Sequence, residues 1–157
     1  MKIAFIQTGR TTDKSLAAAI DDYASRIRKY SGFEIITVPE LKNTRNMPFA
    51  EQKLREGKKI LQALNSDDYV ILLDERGKEL RTVDFADLLG KTFHLPRKRI
   101  VFITGGPWGF SGEVYERCDM KMSLSKMTFP HQLVRLLFLE QLYRAFTIIK
   151  GEPYHHE

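Results

Sequence analysis

The sequence predicts an α/β domain built on a mainly parallel sheet, and three observations carry that expectation. Short apolar runs recur at 3–7, 33–38, 69–73 and 100–104, the length of buried strands. Segments of helical length and helical apolar spacing lie between them, the alternation that parallel sheets require. Glycine or proline punctuates the joins, at Gly9, Gly32, Pro39, Pro48 and Pro96. With no internal repeat and no long linker, the 157 residues read as one domain, 1–157.

The elements follow in order. Ile3 to Gln7 is the first strand, closed by Thr8-Gly9. Asp13 is placed to cap a helix reaching to about Tyr30, with Leu16, Ala19, Ile20, Tyr23 and Ile27 on one face. Phe33 to Val38 is β-branched and stopped by Pro39. After a polar loop at 39–47, Pro48 opens a helix to about Leu64 that bears Lys53, Arg55, Lys58 and Lys59, read first as a solvated face. Tyr69 to Leu73 is the third strand, and Asp74-Glu75-Arg76-Gly77-Lys78 reads as the polar turn after it. Thr82 starts a helix to about Phe93. The basic turn Arg97-Lys98-Arg99 leads into the strand Ile100 to Thr104, a glycine-rich loop, a short helix at about 111–117 and a fifth strand at 121–124.

The last helix stands apart. Pro130 suits its first turn and Gly151 its end. Between them apolar residues fall on nearly every side, so the helix needs cover on more than one face, and a second copy of the chain is the expected source. Arg135, Glu140 and Arg144 interrupt the run and exclude a membrane span. The N-terminal apolar run is too short for a signal peptide. The single cysteine, Cys118, excludes an internal disulfide and points to a reducing compartment, so a cytoplasmic protein is expected. A net charge of +5 makes polyanions, nucleic acid first, plausible partners.

Ligands of open α/β sheets gather beyond the carboxyl ends of the strands. Three such ends stand out: Leu73-Asp74-Glu75, Gly105 to Gly112, and Leu124 to Phe129. The glycine loop matches neither the Walker nor the dinucleotide fingerprint. One cysteine and no His-Glu-x-x-His argue against zinc. Glu140 and Arg144 have the spacing of a helical ion pair, although the arginine's planar fork also suits a phosphate or a base. The tail 153–157 reads as terminal disorder by composition.

Larger motifs carry a resemblance. Leu124-Ser125-Lys126-Met127-Thr128-Phe129-Pro130-His131-Gln132, then Glu140-Gln141-Leu142-Tyr143-Arg144-Ala145 and Pro153-Tyr154-His155, together with Leu73-Asp74, Gly77-Lys78 and Gly105-Gly106, span nearly the whole chain. In these the sequence resembles the ribosomal RNA large subunit methyltransferase H family, of the SPOUT class. The resemblance implies a SPOUT-type α/β knot, with a C-terminal trefoil knot over roughly residues 70–157 forming an S-adenosylmethionine site. Carried over residue by residue, cofactor contacts fall on Leu73, Gly105, Leu124, Ser125, Lys126, Met127, Thr128 and Phe129. It implies a homodimer with the last helix in the interface, and methylation at N3 of a pseudouridine in 23S rRNA within the assembled ribosome. Arg144, Tyr154 and His155 become the catalytic candidates, with His155 as base, Tyr154 as a wall for the base and Arg144 as the stabilising cation. Arg10, Lys14, Arg97, Lys98 and Arg99 become candidates for RNA contact. Another RNA target, or a ribosome-binding factor without catalysis, are the alternatives. The sequence departs from the family's pattern at Arg81-Thr82-Val83, at the bulky Trp108, read either as a cover for the cofactor or as packing, and at His156, where a lysine or arginine is usual.

Overall fold

A computed structural model describes residues 1–156. In chain order the elements are β1 (Lys2–Thr8), α1 (Lys14–Arg28), β2 (Phe33–Val38), α2 (Phe49–Gln62), β3 (Asp68–Glu79), α3 (Thr82–Thr92), β4 (Arg99–Thr104), α4 (Gly112–Arg117), β5 (Met120–Ser123) and α5 (His131–Ile149). The five strands form one sheet in the order β2-β1-β4-β3-β5, and every pairing is parallel.

Strands covered on both faces must be apolar on both, and β1, β3 and β4 are. Ile3, Phe5, Ile71, Ile100 and Phe102 point to a core shared with α1, α3 and α5. Ala4, Ile6, Val70, Leu72, Val101 and Ile103 point to the opposite core, under α2 and α4. From β4 the chain therefore crosses one face in α4, passes β3 to reach β5, and returns across the other face in α5. The carboxyl ends of β3 and β4 open a crevice where the strand order reverses.

The helix ends follow local chemistry. Asp13 accepts the Leu16 N–H at 2.9 Å, and Ser111 caps α4 through the Val114 N–H. Thr82 does not cap α3, because Arg81 occupies that position; the Thr82 hydroxyl instead donates to Gln141 Oε1 on α5 at 2.8 Å. Pro130 sits at the N-cap of α5 rather than inside it. Gly151 ends the helix at φ +70°, a conformation glycine adopts without strain.

One element is longer than the sequence suggests. The polar stretch Asp74–Glu79 is not a turn but the second half of β3, paired with β5 beyond a register shift between Leu73 and Lys78. Gly77 permits it: a Cβ there would lie 2.6 Å from the Met122 backbone nitrogen, so only glycine lets the two backbones approach so closely.

The basic turn also differs from its expected role. Arg99 forms a fork with Asp68, at 2.9 Å through Nε and 2.7 Å through Nη2, with the Asp68 side chain only 1% exposed. Arg97 donates to the Asp68 carbonyl at 2.9 Å, and Lys98 lies 3.6 Å from Asp67. These cations brace the amino ends of β3 and β4, the end of the sheet away from the crevice. Arg99 is thereby committed to the fold, while Lys98 stays 86% exposed. Among the described residues no helix is long and apolar enough to cross a membrane.

Candidate functional site

Three loops converge at the carboxyl ends of the strands around a cavity of about 460 Å³, within the usual range for a small-molecule site. Leu73, Asp74 and Glu75 supply one wall from β3; Gly105, Gly106, Pro107 and Gly109 supply another after β4. Leu124, Ser125, Met127, Thr128 and Phe129 close it after β5, with His131 and Val134 of α5 behind. Seven of the eight expected cofactor contacts thus share one cavity. The exception is Lys126, whose side chain is 82% exposed and lies 3.3 Å from Glu79.

The loops hold their shape by local bonds. The Ser123 hydroxyl donates to the Ser125 carbonyl at 3.0 Å, and the Ser125 hydroxyl accepts the Met127 N–H at 2.9 Å. Gly109, at φ +79°, turns the glycine loop back so that its N–H reaches the Gly106 carbonyl at 3.1 Å. The loop is supported from behind. A Cβ on Gly105 would meet the Phe110 ring at 3.3 Å, and one on Gly106 would meet Glu56 Oε2 at 2.7 Å. Glycine therefore brings bare backbone to the cavity while side chains fill the space beneath.

Several contributors carry no local sequence signal. Tyr115 of α4 donates a short hydrogen bond to Asp74 Oδ2. Burial, then that bond, pushes the Tyr115 phenol up to about 12, so Asp74 is held by a neutral donor. Burial raises the Glu56 carboxyl, and the nearby Glu40 charge adds to the shift. Arg135 is 2% exposed. It donates to the Thr8 carbonyl at 2.7 Å and the Thr11 hydroxyl at 2.9 Å, tying the start of α5 to the end of β1, and burial lowers its pKa. An arginine within an otherwise apolar stretch of helix is the available signal; its partners lie more than 120 residues away. Cys118 behaves as packing, with burial raising its thiol.

The three catalytic candidates gather at the other end of α5. Arg144 lies on Glu140, with Nε at 2.9 Å from Oε1, so the helical ion pair does form. Its guanidinium stands 4.7 Å from the centroid of the Tyr154 ring, and its Nη1 is 3.3 Å from His155 Nδ1. Tyr154 packs edge-on against Tyr143 at 4.8 Å and its hydroxyl is 3.4 Å from that of Tyr23. Tyr30 donates to Glu152 at 2.6 Å. Residues 152–155 are therefore docked on α1 and α5, contrary to the disorder their composition suggests; Glu157 lies outside the described residues. None of the three candidates lines the cavity. His131 and Arg144 are 13 positions apart on one helix, roughly 20 Å at 1.5 Å per residue.

Among the described residues no group of three or more His, Cys, Asp or Glu side chains is placed to hold a metal ion.

Comparison with known proteins adds to this geometry. The sequence model of a family described as "Predicted SPOUT methyltransferase" matches residues 1–155. A protein of Phocaeicola vulgatus named "Ribosomal RNA large subunit methyltransferase H" is 50% identical over 157 residues, covering all of both chains. One of the same name from Christiangramia forsetii is 49% identical over 156 residues, 99% of each chain. Among solved structures, a probable methyltransferase from Bordetella pertussis aligns with a TM-score of 0.55 over 92% of this chain and 93% of its own, at 12% identity. At that identity it shows a shared fold alone.

Proposed function

Because the chain belongs to the SPOUT methyltransferase family, and within it to the group named ribosomal RNA large subunit methyltransferase H, we propose that it methylates large-subunit ribosomal RNA with S-adenosylmethionine as donor. The acceptor is N3 of a pseudouridine in 23S rRNA, presented by the assembled ribosome. On this reading the chain is one unit over 1–157, with residues from about 70 onward threaded into the knot. The observation that carries the proposal is the convergence of three strand-end segments on one cavity of about 460 Å³ lined by glycine backbone and apolar side chains.

The donor fits what lines that cavity. Leu73, Leu124 and Phe129 offer apolar surface to an adenine ring, and the backbone of Gly105 and of residues 124–128 offers hydrogen-bonding groups at close approach. Bound there, S-adenosylmethionine supplies an activated methyl group on a sulfonium. The protein's share is then positioning, because the donor is already reactive.

The acceptor needs more. The imide at N3 must lose its proton, and a cation or donor beside the ring oxygens stabilises the charge that appears. Arg144 and His155 are the groups suited to this. A guanidinium only donates, so His155 Nδ1 accepts from Arg144 and the ring proton sits on Nε2. That nitrogen is buried with no hydrogen-bond partner among the described residues. Donation from Nε2 to an imide oxygen requires residue 155 to shift and expose it, and serving as base requires Nδ1 to leave Arg144.

The distance between this trio and the cavity favours a homodimer. Leu133, Leu137, Glu140 and Arg144 form a half-buried stripe along α5 at helical spacing. Two copies packed stripe to stripe about a two-fold axis perpendicular to α5 run antiparallel. Each α5 carboxyl end then meets the cavity end of its neighbour, and the partner's Arg144 and His155 serve the methyl donor held by the first.

The test is transfer of labelled methyl from S-adenosylmethionine to ribosomes from a strain lacking the modification, with the product nucleotide mapped. Label at N3 of a pseudouridine in 23S rRNA is expected. Cofactor binding with label elsewhere would replace the target; neither binding nor label would overturn the enzyme reading in favour of a ribosome-binding factor.

A further inference from the structure

Outside the cavity the most exposed aromatic surface is a pair. Phe49, the first residue of α2, is 60% exposed, and Trp108, in the glycine loop, is 41% exposed. Their rings stack with centroids 3.8 Å apart and planes 22° from parallel. Two large rings left in water at one place are not a packing solution, since the same residues turned inward would bury far more apolar area.

The pair is held in place. Trp108 Nε1 donates to Gln52 Oε1 at 3.2 Å. The other end of that carboxamide donates to the Met47 carbonyl at 2.9 Å and the Thr44 carbonyl at 3.3 Å. One glutamine thus ties the glycine loop, the first turn of α2 and the 44–47 loop into a single rigid unit. The unit adjoins the cavity without belonging to it: Gly106, Pro107 and Gly109 line the cavity and Trp108 does not. Trp108 is directed to α2, so it is not a cover for the cofactor.

The Glu56 carboxylate lies against Gly106 with the Glu40 charge near it, and three cations near the aromatic pair are without a carboxylate partner among the described residues. Arg45 lies in the 44–47 loop, Lys42 just before it, and Lys53 one turn along α2 from Phe49. None of the three has a carboxylate partner among the described residues, whereas Glu51, on the same turn, is bound to Arg55 at 2.7 Å. Exposed aromatic faces flanked by unpaired cations beside a reaction site suit one ligand chemistry: an unpaired base with its phosphates. A second copy of the chain is the wrong occupant, because α2 covers the face of the sheet opposite α5.

We propose that the Phe49–Trp108 pair is a stacking platform for an unpaired nucleobase of the RNA substrate, next to the nucleotide that enters the cavity, with Lys42, Arg45 and Lys53 on its phosphates. The proposal rests on the functional reading above and adds to it a site of recognition. The platform carries no chemistry; it holds the strand.

Trp108 is the only tryptophan in the chain, so its fluorescence reports on the platform directly. A single-stranded RNA oligonucleotide of mixed sequence titrated into the full-length protein should quench it, and S-adenosylmethionine alone should not. Phe49→Ala should weaken oligonucleotide binding and raise KM for unmodified ribosomes, each by roughly ten-fold, the scale of one lost base stack, with cofactor affinity unchanged. Trp108→Phe, which keeps a π-face, should retain most of the ribosome affinity that Trp108→Ala loses. Quenching by the cofactor and not by RNA would overturn the platform and restore the cover reading. Wild-type KM for ribosomes in both alanine variants would overturn it as well. The quenching titration needs no turnover, so a protein that transfers no methyl to ribosomes yet binds RNA through this pair would count against the functional reading alone.

Discussion

Arg144 Nη1 points at His155 Nδ1 from 3.3 Å, across a turn that brings residue 155 back onto the helix carrying residue 144. The contact fixes which nitrogen of the imidazole carries its proton. Arg144→Ala and His155→Ala are expected to lower turnover at saturating cofactor by about 10²-fold or more, the scale of a lost proton-transfer or charge-stabilising group. Cofactor affinity, measured by calorimetry, should stay within about two-fold, because neither residue lines the cavity. Arg144→Lys should resemble the alanine variant, since a lysine cannot hold Glu140 and His155 in one planar fork. Wild-type turnover in Arg144→Ala would remove this pair from the chemistry.

If the trio serves the neighbouring cavity, two inactive proteins should complement. Gly105→Val clashes with Phe110 and displaces the glycine wall of the cavity in one chain, and Arg144→Ala removes the cation in the other. Mixed in equal amounts and allowed to exchange, half of the dimers hold one intact site, and methyl transfer should recover to about a quarter of wild type. No recovery, with exchange verified by mass, would place the trio and cavity of a working site in the same chain.

Two glycines predict opposite outcomes. A Cβ on Gly77 meets the Met122 backbone at 2.6 Å, with nothing flexible to yield. Gly77→Ala should destabilise the protein by about 3 kcal/mol or more. Gly90, inside α3, has open space where its Cβ would go. Gly90→Ala should stabilise by roughly 0.5–1 kcal/mol through helix propensity and a less flexible unfolded chain. Urea unfolding midpoints measure both.

Four of the six tyrosines should titrate late, Tyr69 among them because burial raises its phenol. Tyr30, bonded to Glu152, Tyr115, buried beside Asp74, and Tyr154, bonded to Tyr23, are each pushed up to about 12 from 10.0. The folded state holds their protons more tightly than the unfolded chain does. Their contribution to stability is therefore complete below pH 10, declines as the pH rises from 10, and is gone above about 12. Ultraviolet titration of phenolate should show two populations in the native protein. Tyr30→Phe should reduce the late one without touching Asp74. A single transition near pH 10 would contradict these contacts.

Much of this was legible in the chain. Buried strands declare themselves by apolar runs, and the cavity is made of loops that follow strands, so Leu73, Gly105 and the 124–129 segment could be named before the fold was seen. What stayed hidden depended on distant partners. Asp74–Glu79 reads as a turn because its side chains are polar, but its backbone is what β5 needs. Arg99 reads as part of a basic turn, but its buried partner Asp68 lies 31 residues away in sequence. The tail reads as loose because nothing in 153–156 shows that Tyr23, Tyr30 and Glu140 await it.

The clasp between the two ends of the chain has a consequence for biosynthesis. Gln132 binds the backbone of Thr12 and Arg135 that of Thr8, 120 and 127 residues away in sequence. The loop at 124–129 carries its own local bonds, but His131 and Val134 of the last helix complete the cavity behind it. A nascent chain still short of its final helix therefore lacks the back wall of the cavity, and such remote pairings form late and slowly. The cavity lining is complete only when α5 is in place. A copy truncated before residue 131 would be inert, with no partly active form along the way.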